Sequence, residues 1–366
     1  MYSGPNGPTR RASFDRPFAG FVNSVSKLLF DINETFQESF NRGEIPKSLI
    51  KLFLDRGHSL TPYAVISTDK KTNDWNIRDA GIHYTIKNEK NRLNIYDGFT
   101  ALQSPWHNWE HKFIIWAEKE GYQFDYAVNS DLEFNSEILN EYKLVLSIGH
   151  DEYWSSPMRD NLESYIATGG NVAFFSGNNV WWQVRSEENG RAMVCWKEEY
   201  KKDPFYKSGN HKLLSTLWCH TLVNRPENQL TGVSFAYGGY YRFFDKFWDG
   251  PGAYTVHRPE HWIFEGTDLK QGDLLGAQNK IVSYECDGCE FELQNGLPTP
   301  TFRDGTPDTF EILGSAPSAL TSADNSLEMV TAALYGEKTT KMHPQPGAAI
   351  LGIYTKGGTV ITTGCT

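Results

Sequence analysis

His150, Asp151, Glu152 and Tyr153 stand side by side in GHDEYW, and Ser176, Gly177, Asn178 and Asn179 follow in SGNN. An imidazole, two carboxylates and a phenol so close together can bind a hard metal ion or move protons. Asn178 and Asn179 can donate hydrogen bonds to a carbonyl or an oxyanion. A plainer alternative stands beside this one. Asp151 and Glu152 can simply cap the helix that follows and complement its dipole. His150 can bond a strand-end carbonyl, and Asn178 can tie down a turn.

The elements that must position these residues follow from pattern. Residues 143–148 form a short apolar run bounded by Gly149, the mark of a buried strand. Ser155 or Ser156 supplies an N-cap, with Pro157 near the first helical position, where its missing N–H costs nothing. Met158, Leu162, Tyr165 and Ile166 recur at helical spacing, Gly169-Gly170 ends the helix, and residues 171–175 start a second strand. Strand, helix and strand over so short a stretch make a βαβ unit, whose strands must be parallel. Both polar clusters then fall just past the carboxyl ends of neighbouring strands, where open α/β sheets bind ligands. The expected class is α/β, a parallel central sheet flanked by helices, with β-rich additions in the C-terminal half.

Around this unit, residues 109–121 read as an amphipathic helix, 122–128 as a strand and 135–142 as a short helix. Residues 211–222 read as a helix. Alternation then predicts strands at 231–236, 240–244 and 253–257, with turns at Gly238-Gly239 and Gly250-Pro251-Gly252. A strand at 280–284 would deliver Glu285 and Asp287. Further strands are expected at 309–314 and 329–335, and 348–354 should pair with 359–363 around Lys356-Gly357-Gly358. Residues 1–105 read as a partial N-terminal edge of the domain plus an insertion, and 106–366 as its α/β core with a β-rich C-terminal part, cut short at the end.

Composition limits the partners. The 366 residues carry a net charge of −10 with no basic block, which argues against nucleic acid. No apolar run approaches the ~20 residues of a membrane span and no signal peptide opens the chain, so a soluble, cytoplasmic protein is expected. Five cysteines are odd in number and form no dense framework, as in a reducing compartment. Cys286 and Cys289 have CxxC spacing but lack the second pair of a zinc site, and they follow a strand instead of opening a helix. His107/His111 and His257/His261 are spaced for metal. The first pair lacks the glutamate of a zincin helix, and Pro259 breaks any helix carrying the second.

GHDEYWS and GGNVAFFSGNN, with RPENQLTGVSF, HWIFEGTDLKQGD and VSYECDG downstream, resemble the catalytic domain of the N,N-dimethylformamidase large (beta) subunit family. The resemblance covers roughly residues 120–290 well and the flanks poorly. It implies a glutamine-amidotransferase-like fold and a cytoplasmic amidohydrolase that cleaves the C–N bond of a small amide with water activated by a mononuclear ferric ion. In that family two tyrosines and one glutamate hold the iron. Here the glutamate falls on Glu152, and Tyr2 is the only candidate tyrosine. The resemblance places His150 and Asn178 around the substrate carbonyl and the acid/base glutamate on Glu285, with Glu290 close enough to confuse the match. A small subunit and a homo-oligomer are left open as partners. The competing expectation is a ThuA-like α/β module that binds sugar or a protein partner without catalysis. A cysteine-nucleophile amidotransferase is excluded, because none of the five cysteines follows a strand and opens a helix.

Overall fold

The strand β1 (Leu144–His150) runs into a short strand β2 (Tyr153–Ser155), and the helix α1 (Ser156–Ala167) starts at once. Ser155 is the N-cap, its Oγ accepting from the Met158 N–H at 3.3 Å, and Pro157 lies in the first turn. Met158, Leu162, Tyr165 and Ile166 face the core as their spacing requires. The next strand, β3 (Asn171–Gly177), pairs with β1 in parallel, Leu144 opposite Asn171 and His150 opposite Gly177. The βαβ unit is therefore present in the expected register.

This computed structural model describes residues 110–365, apart from 188, 189, 191, 242–249, 323, 324, 342 and 345. It also describes the strands Arg10–Ala12, Ala64–Asp69, Asp74–Asp79, Ile82–Lys87 and Arg92–Leu93. The last four form an antiparallel meander. The rest of the expected 1–105 segment, including Tyr2, lies outside the described residues, as does His107.

The chain is mixed α/β, but the central sheet is not parallel throughout. Two more strands, β4 (Trp182–Glu187) and β5 (Ala192–Cys195), join β2 and Arg10–Ala12 in a separate small sheet. Seven further elements complete the main architecture: β6 (Ser234–Tyr240), β7 (Tyr254–Val256), β8 (Leu274–Leu275), β9 (Glu285–Gly288), β10 (Glu311–Ser318), β11 (Gly347–Lys356) and β12 (Gly358–Thr362). The seven-stranded sheet has the order β8-β7-β10-β11-β12-β3-β1. Only β12, β3 and β1 are parallel, and every other pairing is antiparallel. The C-terminal strands are thus not an addition beside the sheet; they are most of it.

Alternation along β11 shows why its sequence is an unbroken apolar run. Ala348, Ile350 and Tyr354 pack into a large cluster with Trp154, Met158, Leu162, Phe174, Trp181 and Phe235. Ala349, Leu351 and Ile353 pack on the opposite face with Tyr254, Val256 and Leu313. A strand covered on both faces has no polar side to show. The hairpin from β11 to β12 turns at Gly357, with φ +83° and a position where a Cβ would lie 2.6 Å from the Ala167 carbonyl oxygen. Glycine is required there on both counts.

Several expected elements differ. Residues 329–335 belong to a helix, Ser326–Tyr335. Residues 122–128 form no strand, and 135–142 form a 3₁₀ turn, Ser136–Glu141. The helix expected over 211–222 is only the 3₁₀ turn His211–Leu213, because the chain beyond it bonds outward: the Gln183 N–H donates to the Thr216 carbonyl and the Trp218 N–H to the Trp181 carbonyl. Gly238-Gly239 is not a turn. It is an irregularity inside β6, where Gly239 has φ +95° and an added Cβ would lie 2.3 Å from the Ala319 carbonyl carbon. The strand expected over 280–284 begins at Glu285, so Glu285 and Asp287 lie within β9 and share a face. Among the described residues no helix is long and apolar enough to cross a membrane.

Candidate active site

His150 ends β1, Glu152 precedes β2, Asn178 follows β3 and Glu285 opens β9, and all four are buried. His150 Nε2 lies 2.6 Å from Glu285 Oε2. Burial alone would pull the imidazole down, but the Glu285 carboxylate reverses this, so His150 sits above its ordinary value. Glu290, the competing match, is held on the surface by Arg303 at 3.0 Å through Nε. Geometry therefore selects Glu285 as the glutamate beside His150.

Asp151 and Glu152 part company. Asp151 takes hydrogen bonds from Ser147 Oγ (2.9 Å) and Asn129 Nδ2 (2.8 Å), a structural assignment. Neither residue caps α1, whose cap is Ser155. Glu152 Oε1 accepts from Trp182 Nε1 at 2.8 Å, while Oε2 is buried with no hydrogen-bond partner. Burial pushes the Glu152 carboxyl up, His150 and Lys197 pull it back, and the net direction is up. Glu152 is buried at its strand end, only 7% exposed.

Lys197, which the sequence reading passed over, is 5% exposed in this neighbourhood. Its Nζ donates to the Tyr153 hydroxyl at 2.8 Å and lies 4.8 Å from the centre of the Trp182 ring. Burial lowers its pKa, and Glu152 is the first of the neighbours opposing that shift. Its backbone is left-handed (φ +50°), uncommon for a lysine, and its N–H donates to the Ser215 carbonyl at 2.9 Å. No sequence signal marked it, since WKEEYKK reads like any solvated charged run.

Asn178 and Val180 are also left-handed, at φ +49° and +53°. The turn is stitched down by the Val180 N–H to the Asp151 carbonyl (2.8 Å) and by Asn179 to Asp287. Asn178 Oδ1 is buried with no hydrogen-bond partner, so the side chain is not spent on the turn.

For a metal, the donor set among the described residues is short. No group of three or more His, Cys, Asp and Glu side chains there could hold one. Glu152 Oε2 is a single hard anionic donor of the kind a ferric ion prefers. Tyr2 lies outside the described residues, and nothing is described of the His111 side chain. His257 and His261 are used separately: His257 Nε2 is 2.7 Å from Ser315 Oγ, and His261 Nδ1 accepts from the Ile263 N–H. Cys286 and Cys289 are buried thiols that pack into different core clusters, so they share no site.

With the strand ends, the His150–Glu285 pair and the orphaned oxygens in place, comparison with known proteins becomes informative. Residues 54–366 match the model of a family described as N,N-dimethylformamidase beta subunit-like, C-terminal. The chain belongs to this family. It is 35% identical over 212 residues to an N,N-dimethylformamidase beta subunit from Alcaligenes sp, covering 51% of this chain and 25% of that protein. A second N,N-dimethylformamidase beta subunit, from Paracoccus aminophilus, is 33% identical over 210 residues, again covering 51% of this chain and 25% of that protein. The match thus spans about a quarter of the length of these relatives. Their naming as beta subunits marks them as parts of multi-subunit enzymes.

Proposed function

We propose that the site hydrolyses the C–N bond of a small linear amide, with His150, Asn178 and Glu285 as its catalytic groups. The observation that carries this reading is the His150–Glu285 contact at 2.6 Å, which brings an imidazole to a carboxylate inside a buried site. Glu285 is the general base that takes a proton from the attacking water and returns it to the leaving amine. His150 and Asn178 are donors toward the carbonyl oxygen as negative charge develops on it. For that role Asn178 presents Nδ2, leaving its Oδ1 for an N–H of substrate or for water. Burial strengthens each of these interactions, since competing water is excluded.

Glu152 would supply one oxygen to a mononuclear ferric ion, with phenolates such as Tyr2 completing the donor set. When bound there, such an ion would supply Lewis acidity to the amide carbonyl and to water. A glutamine-amidotransferase-like fold is part of the same reading, supported by the parallel β1, β3 and β12 strands with the polar groups at their carboxyl ends. A small subunit, a homo-oligomer and a cytoplasmic location belong to it too, the last in keeping with five unpaired, buried thiols.

Amine release from formamide, N-methylformamide and N,N-dimethylformamide tests the proposal. The expected result is turnover of at least one of them by the iron-supplemented protein. Absence of amine release from all three, with saturable binding of a sugar or peptide instead, would favour the ThuA-like binding module.

A further inference from the structure

We propose that Asp287 is a positioning residue that holds Asn178 in the site by clamping the strained turn after β3 to the strand that carries Glu285. The kinetic part of this inference rests on the amide-hydrolysis reading, while its structural part does not.

Asp287 is fully buried and shares a face of β9 with Glu285. Its Oδ2 accepts two hydrogen bonds at 3.0 Å, from the Asn179 backbone N–H and from Asn179 Nδ2. The two residues are 108 positions apart, and β9 pairs with β6, not with β3 or any other strand of the seven-stranded sheet. Ladder hydrogen bonds therefore do not set the distance between the Asn178 turn and the Glu285 strand. Two backbone bonds help through the 363–364 segment, Thr363 N–H to Phe174 carbonyl and Asp287 N–H to Gly364 carbonyl, each 2.9 Å. They fix the main chains but not the turn's tip.

The tip needs fixing. Asn178 and Val180 both hold positive φ within three residues, and a β-branched residue there is a genuine outlier. Between them, Asn179 is tied at both ends of its side chain: Nδ2 donates to the Ser176 carbonyl (2.9 Å) as well as to Asp287, and Oδ1 accepts from Ser176 Oγ (2.5 Å). Removing the Asp287 oxygen strips two of these bonds, including the one on the backbone. The turn then relaxes toward ordinary φ values, and Asn178, its neighbour, leaves its fixed place just past the end of β3. Asp287 touches no reacting atom in this scheme. It acts through Asn179 on Asn178.

The test compares Asp287→Ala and Asp287→Asn in the full chain, alone and combined with Asn178→Ala. Asp287→Asn keeps an acceptor for the Asn179 N–H and should stay within about 10-fold of the parent in kcat. Asp287→Ala should lose about 100-fold in kcat with little change in KM, the scale of a misplaced catalytic group. In the Asn178→Ala background, Asp287→Ala should cost almost nothing more, because both act through one side chain. Additive losses would overturn the inference. Should the parent hydrolyse no amide, the function proposal fails but this one is still tested by amide hydrogen exchange. Asp287→Ala should speed exchange at Asn179 and Val180 while strands β3 and β9 remain protected, and Asp287→Asn should not. Unchanged exchange at the turn, or loss of protection across the whole fold, would refute the clamp.

Discussion

Replacing Glu285 by Gln keeps the length of the side chain and an oxygen for His150 but removes the charge that can take a proton. Amine release should fall by roughly 100-fold or more, the usual contribution of a general base. Removing the other partner acts on stability as well as on turnover. His150→Ala takes the imidazole away from a buried carboxylate and should cost about 3 kcal/mol, read from the denaturant midpoint. A buried acid outside the site gives a pH signature. Burial pushes Glu227 up to about 8 from an ordinary 4.5, with one oxygen taking a hydrogen bond from Ser234. Between those values the folded chain holds a proton that the unfolded chain has lost, so the stabilisation is complete below pH 4.5 and is lost as pH rises toward 8. Thermal melts across that window should show the decline, and Glu227→Gln should flatten it.

Residue types made His150, Glu152, Asn178 and Glu285 legible, because each carries chemistry and sits at a predicted strand end. Lys197 carried no signal, and Asp287 stood out only as the residue delivered beside Glu285. Their importance comes from what covers them: Ser215 draws the Lys197 backbone inward, and Asn179 meets Asp287 from the far side of the fold. Glu152 is covered in the same way, by Trp182 arriving from β4.

At the scale of elements, the βαβ unit was readable because cap, apolar spacing and glycine stop agreed with one another. Where such signals were missing, the assignments failed. The helix Ser326–Tyr335 follows Asn325, whose side chain makes no cap hydrogen bond, so MVTAALY looked like a strand. Residues 211–222 had helical spacing, yet the Trp182–Leu217 bridge draws the backbone into extended pairing, a tertiary override of local preference. Two substitutions test the elements that carry the site. Ser155→Ala should destabilise by about 1 kcal/mol through loss of the α1 cap. Gly357→Ala should cost about 1–3 kcal/mol, because a left-handed turn meets the α1 carbonyls. Both are read from denaturant midpoints at unchanged m-value.

For the molecule as a whole, pattern identified most strands but not their neighbours. Thr359 donates its N–H to the Asn171 side chain across 188 residues, and it is this return of the chain that seats β12 between β11 and β3. An expected all-parallel sheet thus became a mixed one, with a parallel edge bearing the site and an antiparallel bulk behind it. The arrangement places β1 and β3 in the sheet and Glu285 on a separate ribbon, so the site closes only when both cores have formed. The central claim is that these separately built parts make one amide-cleaving centre with Glu285 as its base. Its most direct test is the initial rate of amine release by Glu285→Gln in the full chain, with metal content determined on the same sample. The expected outcome is turnover at background with metal content equal to the parent's. Turnover near the parent's rate, or loss of metal along with activity, would contradict the role assigned to Glu285.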